Sequence, residues 1–530
     1  MQTQADLAPP PHAEHAVFRD RAVKALEGNR PQEALDLLRD IPENPHNTIL
    51  LARAWFLLGN YERSAETLSA VSEPFGPHPA IAFFDQAAAL GRRADLLKLL
   101  KACVARNPAD YRLPELQGTI LMQLGYFTEA ERYIRDSISR QPEANSPRNT
   151  LSMVLYEQGK FDEALVVLED IRKASPENWG PLCNLACILS SIGRMDEANN
   201  LYRQAIAIAP NEPSLRLNHS IAMLKSGRLA QGWTEHEWRL SLPGHTSLPY
   251  GELLPTISPN LDLRGKRVLV TQEEGLGDTL MYLRYLPALA RTGASITVWG
   301  ASTLAAITRR IEGTHSVQTG GEQPQYDYHC PFISLPRAFS GTPDAMGAPV
   351  PYITPAPIKA ENWKKILHRD RNLRVGLVWA GGARPENTAA YMVDRHRSLP
   401  LSALSPLADL DGISFYSLQK DAASSQIADF PGKLIDFMPQ CLDMDDTAAL
   451  IANLDIVVSV DTSIVHLGGG MGKKVLMMDR YNNCWRWMHD RTDSPWYPTL
   501  EIIRQTRFGD WTDVVLRVRK ALQNALMSRQ

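Results

Sequence analysis

The chain has 530 residues, 44% of them apolar and 22% charged, which is more than one hydrophobic core usually holds and points to roughly two to four domains. Its 56 basic and 59 acidic side chains leave a formal charge of −3, so no global field draws nucleic acid or anionic lipid, and nucleic acid is not expected as a partner. The opening residues MQTQADLAPPPHAEHA lack a basic patch followed by an apolar run, no stretch approaches about 18 uncharged apolar residues, and the six cysteines (103, 183, 187, 330, 441, 484) form no CxxC pair. A cytoplasmic protein with no integral membrane segment and with cysteines serving as small buried side chains is therefore expected.

The first pattern is a repeat. Gly91, Gly125, Gly159, Gly193 and Gly227 stand 34 residues apart, Gly59 precedes them by 32, and Pro108, Pro142, Pro176 and Pro210 keep the same beat. Each unit reads as a helix, a turn at the glycine, and a second helix stopped by the proline, which has no N–H to continue the ladder. Small residues at Ala130, Ala164 and Ala198 let the paired helices approach, and Phe127, Phe161 or Met195 covers the seam. The first units are looser, with Asn29 or Gly28 before Ala34, Gly59 with Tyr61, and GRRADLLKLL lacking the aromatic. Neither helix of a pair can bury its face alone, so neighbouring pairs must stack. The pattern resembles the tetratricopeptide repeat family over residues 13–240, which implies a superhelical array whose concave surface holds a peptide or protein. Self-association into a homo-oligomer, or simple scaffolding, is the alternative role.

The unit SGRLAQGWTEHEWRLSLPGH puts Gly232 where alanine is expected, and the proline-broken segment after it lacks helical period. Residues 241–262 therefore read as a linker. Residues 267–271, RVLVT, form a β-branched strand, QEEGLGDTLMYLRYLPALARTG a helix with leucines every three residues, SITVWG a strand and STLAAITRRI a helix. This first α/β lobe spans 263–350. A second spans 373–507 and alternates LRVGLVWAG (strand), SALSPLADL (helix), GISFYSLQK (strand), DDTAALIANL (helix), DIVVSV (strand), TSIVHLGGGM (helix) and KKVLMM (strand). An amphipathic helix within 508–530 ends the chain. Strand and helix in alternation predict parallel sheets covered by helices, with ligands at the strands' carboxyl ends in the cleft between lobes.

Candidate chemistry lies at those ends. Gly275, Gly277 and Asp278 stand where a strand turns into a helix, a place where N–H groups meet an anion and where Asp278 serves as a base or as a helix cap. Asp461, Thr462 and Ser463 follow DIVVSV, and a helix starting at 462 would offer N–H groups and hydroxyls to a phosphate, with His466 one turn further in. Gln419 and Lys420 follow another strand and offer an amide and a cation, and Arg395 and Arg397 lie in DRHRSLP, which reads as a loop. There is no Walker loop, HExxH or zinc spacing, and GLGD is not GxGxxG, which argues against hydride transfer and nucleotide hydrolysis.

The stretches EEGLGDTLMYLRYLP, VGLVWAGGAR, DRHRSLP, FYSLQK, DDTAALIANLDIVVSVDTSIVHLGGGMGKKVLMM and NNCWRWMHDRTDSPWYP, in that order, resemble the heptosyltransferase-type (family 9-like) glycosyltransferases. In one bacterial branch of these, the module follows tetratricopeptide repeats, a layout similar to that of protein O-glycosyltransferases. The resemblance implies a GT-B fold of two Rossmann-like α/β lobes and an inverting, metal-independent transfer from a nucleotide-sugar donor to a Ser or Thr hydroxyl. It implies no further cofactor and no metal ligand. The acceptor would be a protein recruited by the repeats, such as flagellin or another surface protein. Asp278 matches the family's proposed base, Lys420 a donor-phosphate contact, Asp461, Thr462 and Ser463 the grip on donor sugar and phosphate, and His466 the histidine of that motif. Gly277, Arg397 and Gln419 complete the expected donor site. Two features depart from the family pattern: GGGM replaces a small or alanine-rich run, and VWAGGARPENTAAYMVDRHRS is long. An inactive nucleotide-binding scaffold, and a transferase acting on lipid or polysaccharide, are the rival readings.

Overall fold

The computed structural model describes residues 11–39, 41–42, 44–71 and 77–529, so the opening residues, read above as carrying no leader, lie largely outside it. The described chain begins with helix pairs: Pro11–Glu27 with Pro31–Leu38, Pro45–Leu57 with Tyr61–Ser69, Phe84–Ala89 with Arg93–Arg106, Arg112–Leu124 with Phe127–Arg140, and Asn145–Glu157 with Phe161–Ala174. Trp179–Ser191 with Met195–Ile208 and Pro213–Lys225 with Leu229–His236 follow.

Every glycine of the 34-residue beat takes a left-handed conformation, with φ from 67° at Gly91 to 90° at Gly125. At Gly125 the reason is explicit. Its N–H donates to the Met122 carbonyl (3.0 Å) and the Tyr126 N–H to that of Leu121 (2.9 Å), which caps the first helix and turns the chain into the second. Asn29 (φ 52°) takes the glycine's place in the first unit, as Asn tolerates this region better than other side chains. Gly125→Ala is expected to cost about 1–2 kcal/mol, visible as a lower unfolding temperature with an unchanged circular dichroism spectrum. Ala130, Ala164 and Ala198 are fully buried, in keeping with close approach within each pair.

The chain divides into two compact units, Met1–Pro176 with Arg384–Val393, and Glu177–Ala383 with Asp394–Gln530. Composition suggests a boundary at 240–262, but compactness places the last two helix pairs with the lobes. The cause is a shared core: Leu224 and Trp233 of the last pair are buried together with Tyr282 and Tyr285 of the first lobe and Trp485 and Trp487 of the second.

The first lobe holds strands β1 (Arg267–Thr271), β2 (Ser295–Trp299), β3 (Thr314–Gln318) and β4 (Tyr328–Pro331), all parallel, in the order β3-β2-β1-β4. The second holds β5 (Leu373–Val378), β6 (Ile413–Ser417), β7 (Leu434–Asp436), β8 (Ile456–Val460), β9 (Lys474–Asp479) and β10 (Leu500–Arg504), again all parallel, in the order β10-β9-β8-β5-β6-β7. Strand order reverses between β1 and β4 in one sheet and between β5 and β8 in the other. Such reversals open a crevice at the strands' carboxyl ends. Gly277 and Asp278 follow β1, and Asp461 to Ser463 follow β8, so both loops stand at reversal points. The helical array followed by two parallel α/β lobes is the fold expected from the sequence, and it is consistent with a GT-B-like arrangement.

Three local expectations are corrected. The helix predicted over the GLGD segment is broken into Leu276–Tyr282, a 3-10 turn at Leu283–Tyr285, and Leu286–Arg291, because Pro287 cannot donate into a continuous ladder. SALSPLADL forms a 3-10 stretch, Leu401–Leu407, with Pro406 inside it. The DRHRSLP segment is no loop, since its arginines end a helix, Thr388–Arg397.

Candidate functional site

The two reversal-point loops meet. A side-chain carbon placed on Gly277 would lie 2.9 Å from Cδ2 of His466 and 3.4 Å from the Ser463 Cα, so only glycine lets the turn after β1 sit against the helix Ser463–Gly470. Thr462 is the N-cap of that helix, its Oγ1 accepting weakly from the Ile464 N–H (3.4 Å) and lying 3.2 Å from Ser459 Oγ. The helix therefore starts at 463, one residue later than expected, with the Thr462 hydroxyl engaged locally.

His466 is buried, its Nδ1 2.9 Å from the Tyr497 hydroxyl and its ring stacked on Trp487 (centroids 5.3 Å apart, 27°). Burial pushes its pKa down to about 4, against a smaller opposing pull from Asp461. The imidazole is thus neutral near pH 7, and its ring lies against the Gly277 turn. The glycines after it answer to packing. A carbon added at Gly469 would meet the Tyr497 ring at 2.6 Å, and one at Gly470 would meet Ile353 at 2.7 Å. This is the physical reason for glycine at 469 and 470, whereas a carbon at Gly468 would lie 3.2 Å from Val475 Cγ2. The segment joining the lobes crosses here, with the N–H groups of Tyr352 and Ile353 donating to the Gly470 carbonyl (3.0 and 3.1 Å) and the Tyr352 hydroxyl to that of Leu280 (3.0 Å).

Asp278 lies in the first turn of Leu276–Tyr282, its side chain 20% exposed and ion-paired with Arg486 of the second lobe. Arg397 is held by Asp394 (Nε to Oδ1 2.9 Å) and donates through Nη1 to the Asp461 carbonyl (3.0 Å), so it braces the end of β8. Gln419 and Lys420 are engaged elsewhere. The Gln419 amide oxygen accepts from the N–H groups of Trp379 and Ala380 (3.1 and 3.0 Å), and its nitrogen donates to the carbonyls of Ala380 and Lys420. That amide ties the end of β6 to the end of β5. Lys420 Nζ donates to the Cys441 carbonyl (2.5 Å). Among the described residues no hydrogen bond or ion pair joins 419 or 420 to Asp278 or to 461–466.

Other site-lining residues lacked a positional signal. Residues Gly244 to Leu248, read as linker, wall a cavity of about 650 Å³ with Gln272, Glu273, Glu274, Trp299 and Gln323 at the carboxyl edge of β1 and β2. Beneath it, fully buried Arg239 donates to Glu273 (2.8 Å), Glu237 (2.8 Å) and Ser334 (2.7 Å), and His245 Nδ1 pairs with Glu273. Arg486 was legible only as part of an aromatic-rich stretch. Among the described residues no group of three or more His, Cys, Asp or Glu side chains is placed to hold a metal ion, and no helix is long and apolar enough to cross a membrane.

Residues 115–178 and 155–213 each match a family model described as tetratricopeptide repeat. Protein FlbA of Caulobacter vibrioides (strain ATCC 19089 / CIP 103742 / CB 15) is 24% identical over 356 residues, covering 61% of this chain and 57% of that protein. The chain therefore spans little more than half the length of this relative. Among solved structures, the glycosyl transferase family 9 from Veillonella parvula DSM 2008 is similar at 12% identity, over 51% of this chain and 100% of that one, with a TM-score of 0.40. A tetratricopeptide repeat protein from Parabacteroides merdae ATCC 43184 is similar at 13% identity, over 44% of this chain and 94% of that one (TM-score 0.31). A thermophilic TPR protein of Thermus thermophilus is similar at 20% identity, over 40% of this chain and 99% of that one (TM-score 0.26). The repeat matches and the sheet topology together describe a chain with a tetratricopeptide-type helical array followed by two α/β lobes of GT-B-like arrangement.

Proposed function

We propose that the protein is an inverting glycosyltransferase that moves a sugar from a nucleotide-sugar donor to a Ser or Thr hydroxyl of a protein held by the repeats. The observation that carries this reading is the apposition of the Gly277–Asp278 turn to the Ser463 helix start, each at the reversal point of its own sheet. In this reading Asp278 supplies the acid and the Ser463 helix start the grip on phosphate. In a single displacement Asp278 takes the proton of the attacking hydroxyl while the diphosphate leaves toward the N–H groups at 463 and 464 and toward Lys420. Metal independence belongs to the proposal, with the chain's own cations meeting the charge of the leaving group. Arg397 acts by holding the Asp461 carbonyl, and Gln419 by fixing the ends of β5 and β6 around the donor.

Lys420 reaches a diphosphate by leaving the Cys441 carbonyl. Lys420→Ala is expected to weaken binding of the recognised nucleotide sugar about tenfold or more, in line with loss of a charged hydrogen bond, as read by calorimetry. The reading as a whole is tested by a thermal-shift screen of the purified protein against nucleotide sugars. Intact-mass analysis of flagellin and other surface proteins incubated with the hit follows. A mass increase of one sugar residue supports it, and the absence of any nucleotide-sugar response removes it.

A further inference from the structure

The stretch NNCWRWMHDRTDSPWYP has no role in the reaction described above, yet it places an arginine against Asp278. Trp485 packs edge-on against Trp233 (5.0 Å, 87°), Trp487 stacks on His466, and Trp496 Nε1 donates to the Arg486 carbonyl (2.8 Å). The backbone at 486 is thereby locked between the last repeat and the second lobe. The guanidinium lies over the Trp485 ring (4.5 Å) and pairs with Asp278, with Glu274 Oε2 3.4 Å from Nη2 and Cys484 Sγ 3.0 Å from Nη1. Its Nε is buried without a hydrogen-bond partner.

Arg486 is thus a poorly hydrated cation with one donor unused. Burial lowers its pKa from the ordinary arginine value, and Glu274 opposes that shift. It holds the carboxylate that the transfer reaction needs free. The residue before that carboxylate is Gly277, where an added side-chain carbon would lie 3.4 Å from the Ser463 Cα, so the ion pair stands near the helix start where a diphosphate would be gripped. Guanidinium binds phosphate oxygens in the same forked geometry as carboxylate, so a diphosphate arriving there competes with Asp278 for Arg486.

We propose that Arg486 is an exchangeable cation: it pairs with Asp278 in the donor-free protein and passes to the donor's diphosphate on binding, which frees Asp278 to act. This rests on the glycosyl-transfer reading. In the step itself the acceptor oxygen bonds to the anomeric carbon as the bond from that carbon to the diphosphate oxygen breaks. The bonding pair leaves with the nucleoside diphosphate, neutralised by Arg486 and Lys420, and the hydroxyl proton goes to Asp278 and then to water. The exchange couples the two halves of the reaction, because the base is not released from its cation until a donor is present.

The test is a binding cycle on the full chain with ADP, GDP, UDP, CDP and dTDP, using the diphosphate that binds best. Arg486→Gln is expected to weaken it roughly tenfold or more. Asp278→Asn is expected to strengthen it severalfold, since the guanidinium no longer has to leave a carboxylate, and to have no effect in the Arg486→Gln background. Arg486→Lys is expected to fall between wild type and Arg486→Gln. Asp278→Asn binding no tighter than wild type overturns the exchange, whether or not Arg486→Gln folds. If none of the five diphosphates binds wild type, the glycosyl-transfer reading itself fails and the exchange falls with it. If wild type binds but the Asp278 arm is flat, only the exchange fails.

Discussion

Asp278→Asn is expected to lower turnover about 100-fold or more, measured as nucleoside diphosphate release at saturating donor and acceptor. The amide keeps the shape of the carboxylate but cannot take the proton of the attacking hydroxyl. The fold should survive, because the side chain is partly exposed in a first helical turn and Arg486 retains Glu274 as a neighbour. The informative pattern is slow chemistry with a diphosphate bound severalfold more tightly than by wild type. Turnover equal to wild type would remove Asp278 as the base.

Arg239→Ala is expected to destabilise the fold by about 3–5 kcal/mol, read as a lower denaturant midpoint for unfolding. Arg239 is fully buried and bridges Glu237 and Glu273, whose side chains are 9% and 4% exposed. Removing the guanidinium leaves two carboxylates in a site with little water, a heavier penalty than the pair's net worth. It also frees Glu273, which holds His245 at the cavity wall, so the segment Gly244–Leu248 should exchange amide hydrogens faster. Arg264→Ala is the control. Arg264 pairs with Asp262 at the surface, and exposed pairs of this kind leave the midpoint unmoved.

Features that act within a few residues were legible from the chain alone. The 34-residue beat of glycines was readable because each must take a positive φ, a demand set by one turn and independent of the rest of the protein. β1 was readable because Val268, Leu269 and Val270 form one continuous apolar run, and β8 because Ile456 to Val458 does the same in a strand buried throughout. Edge strands were not. β3 is THSVQ, with two exposed positions, and β7 is three half-buried residues, so neither has a pattern strong enough to stand out. Propagation also misled: the leucine spacing after Gly277 suggested one helix, yet Pro287 divides it, and the arginines of DRHRSLP looked like loop cations while finishing a helix.

The candidate site divides along the same line. The residues at each reversal point, Gly277 and Asp278 on one side and Asp461 to Ser463 with His466 on the other, could be named in advance because strand ends in an alternating α/β chain are where ligands collect. Their partners could not. Asp278 pairs with a residue 208 positions away, Gly277 is glycine because His466 and Ser463 fill the space a side chain would need, and Gln419 has its amide engaged by the neighbouring strand. By itself the sequence determined the repeat, the alternation of strand and helix, and the identity of the chemical groups, since these follow from backbone conformation and local periodicity. Which group faces which was decided only when two sheets and the last repeat buried a common core, because contact between distant residues is set by packing and carries no local signature.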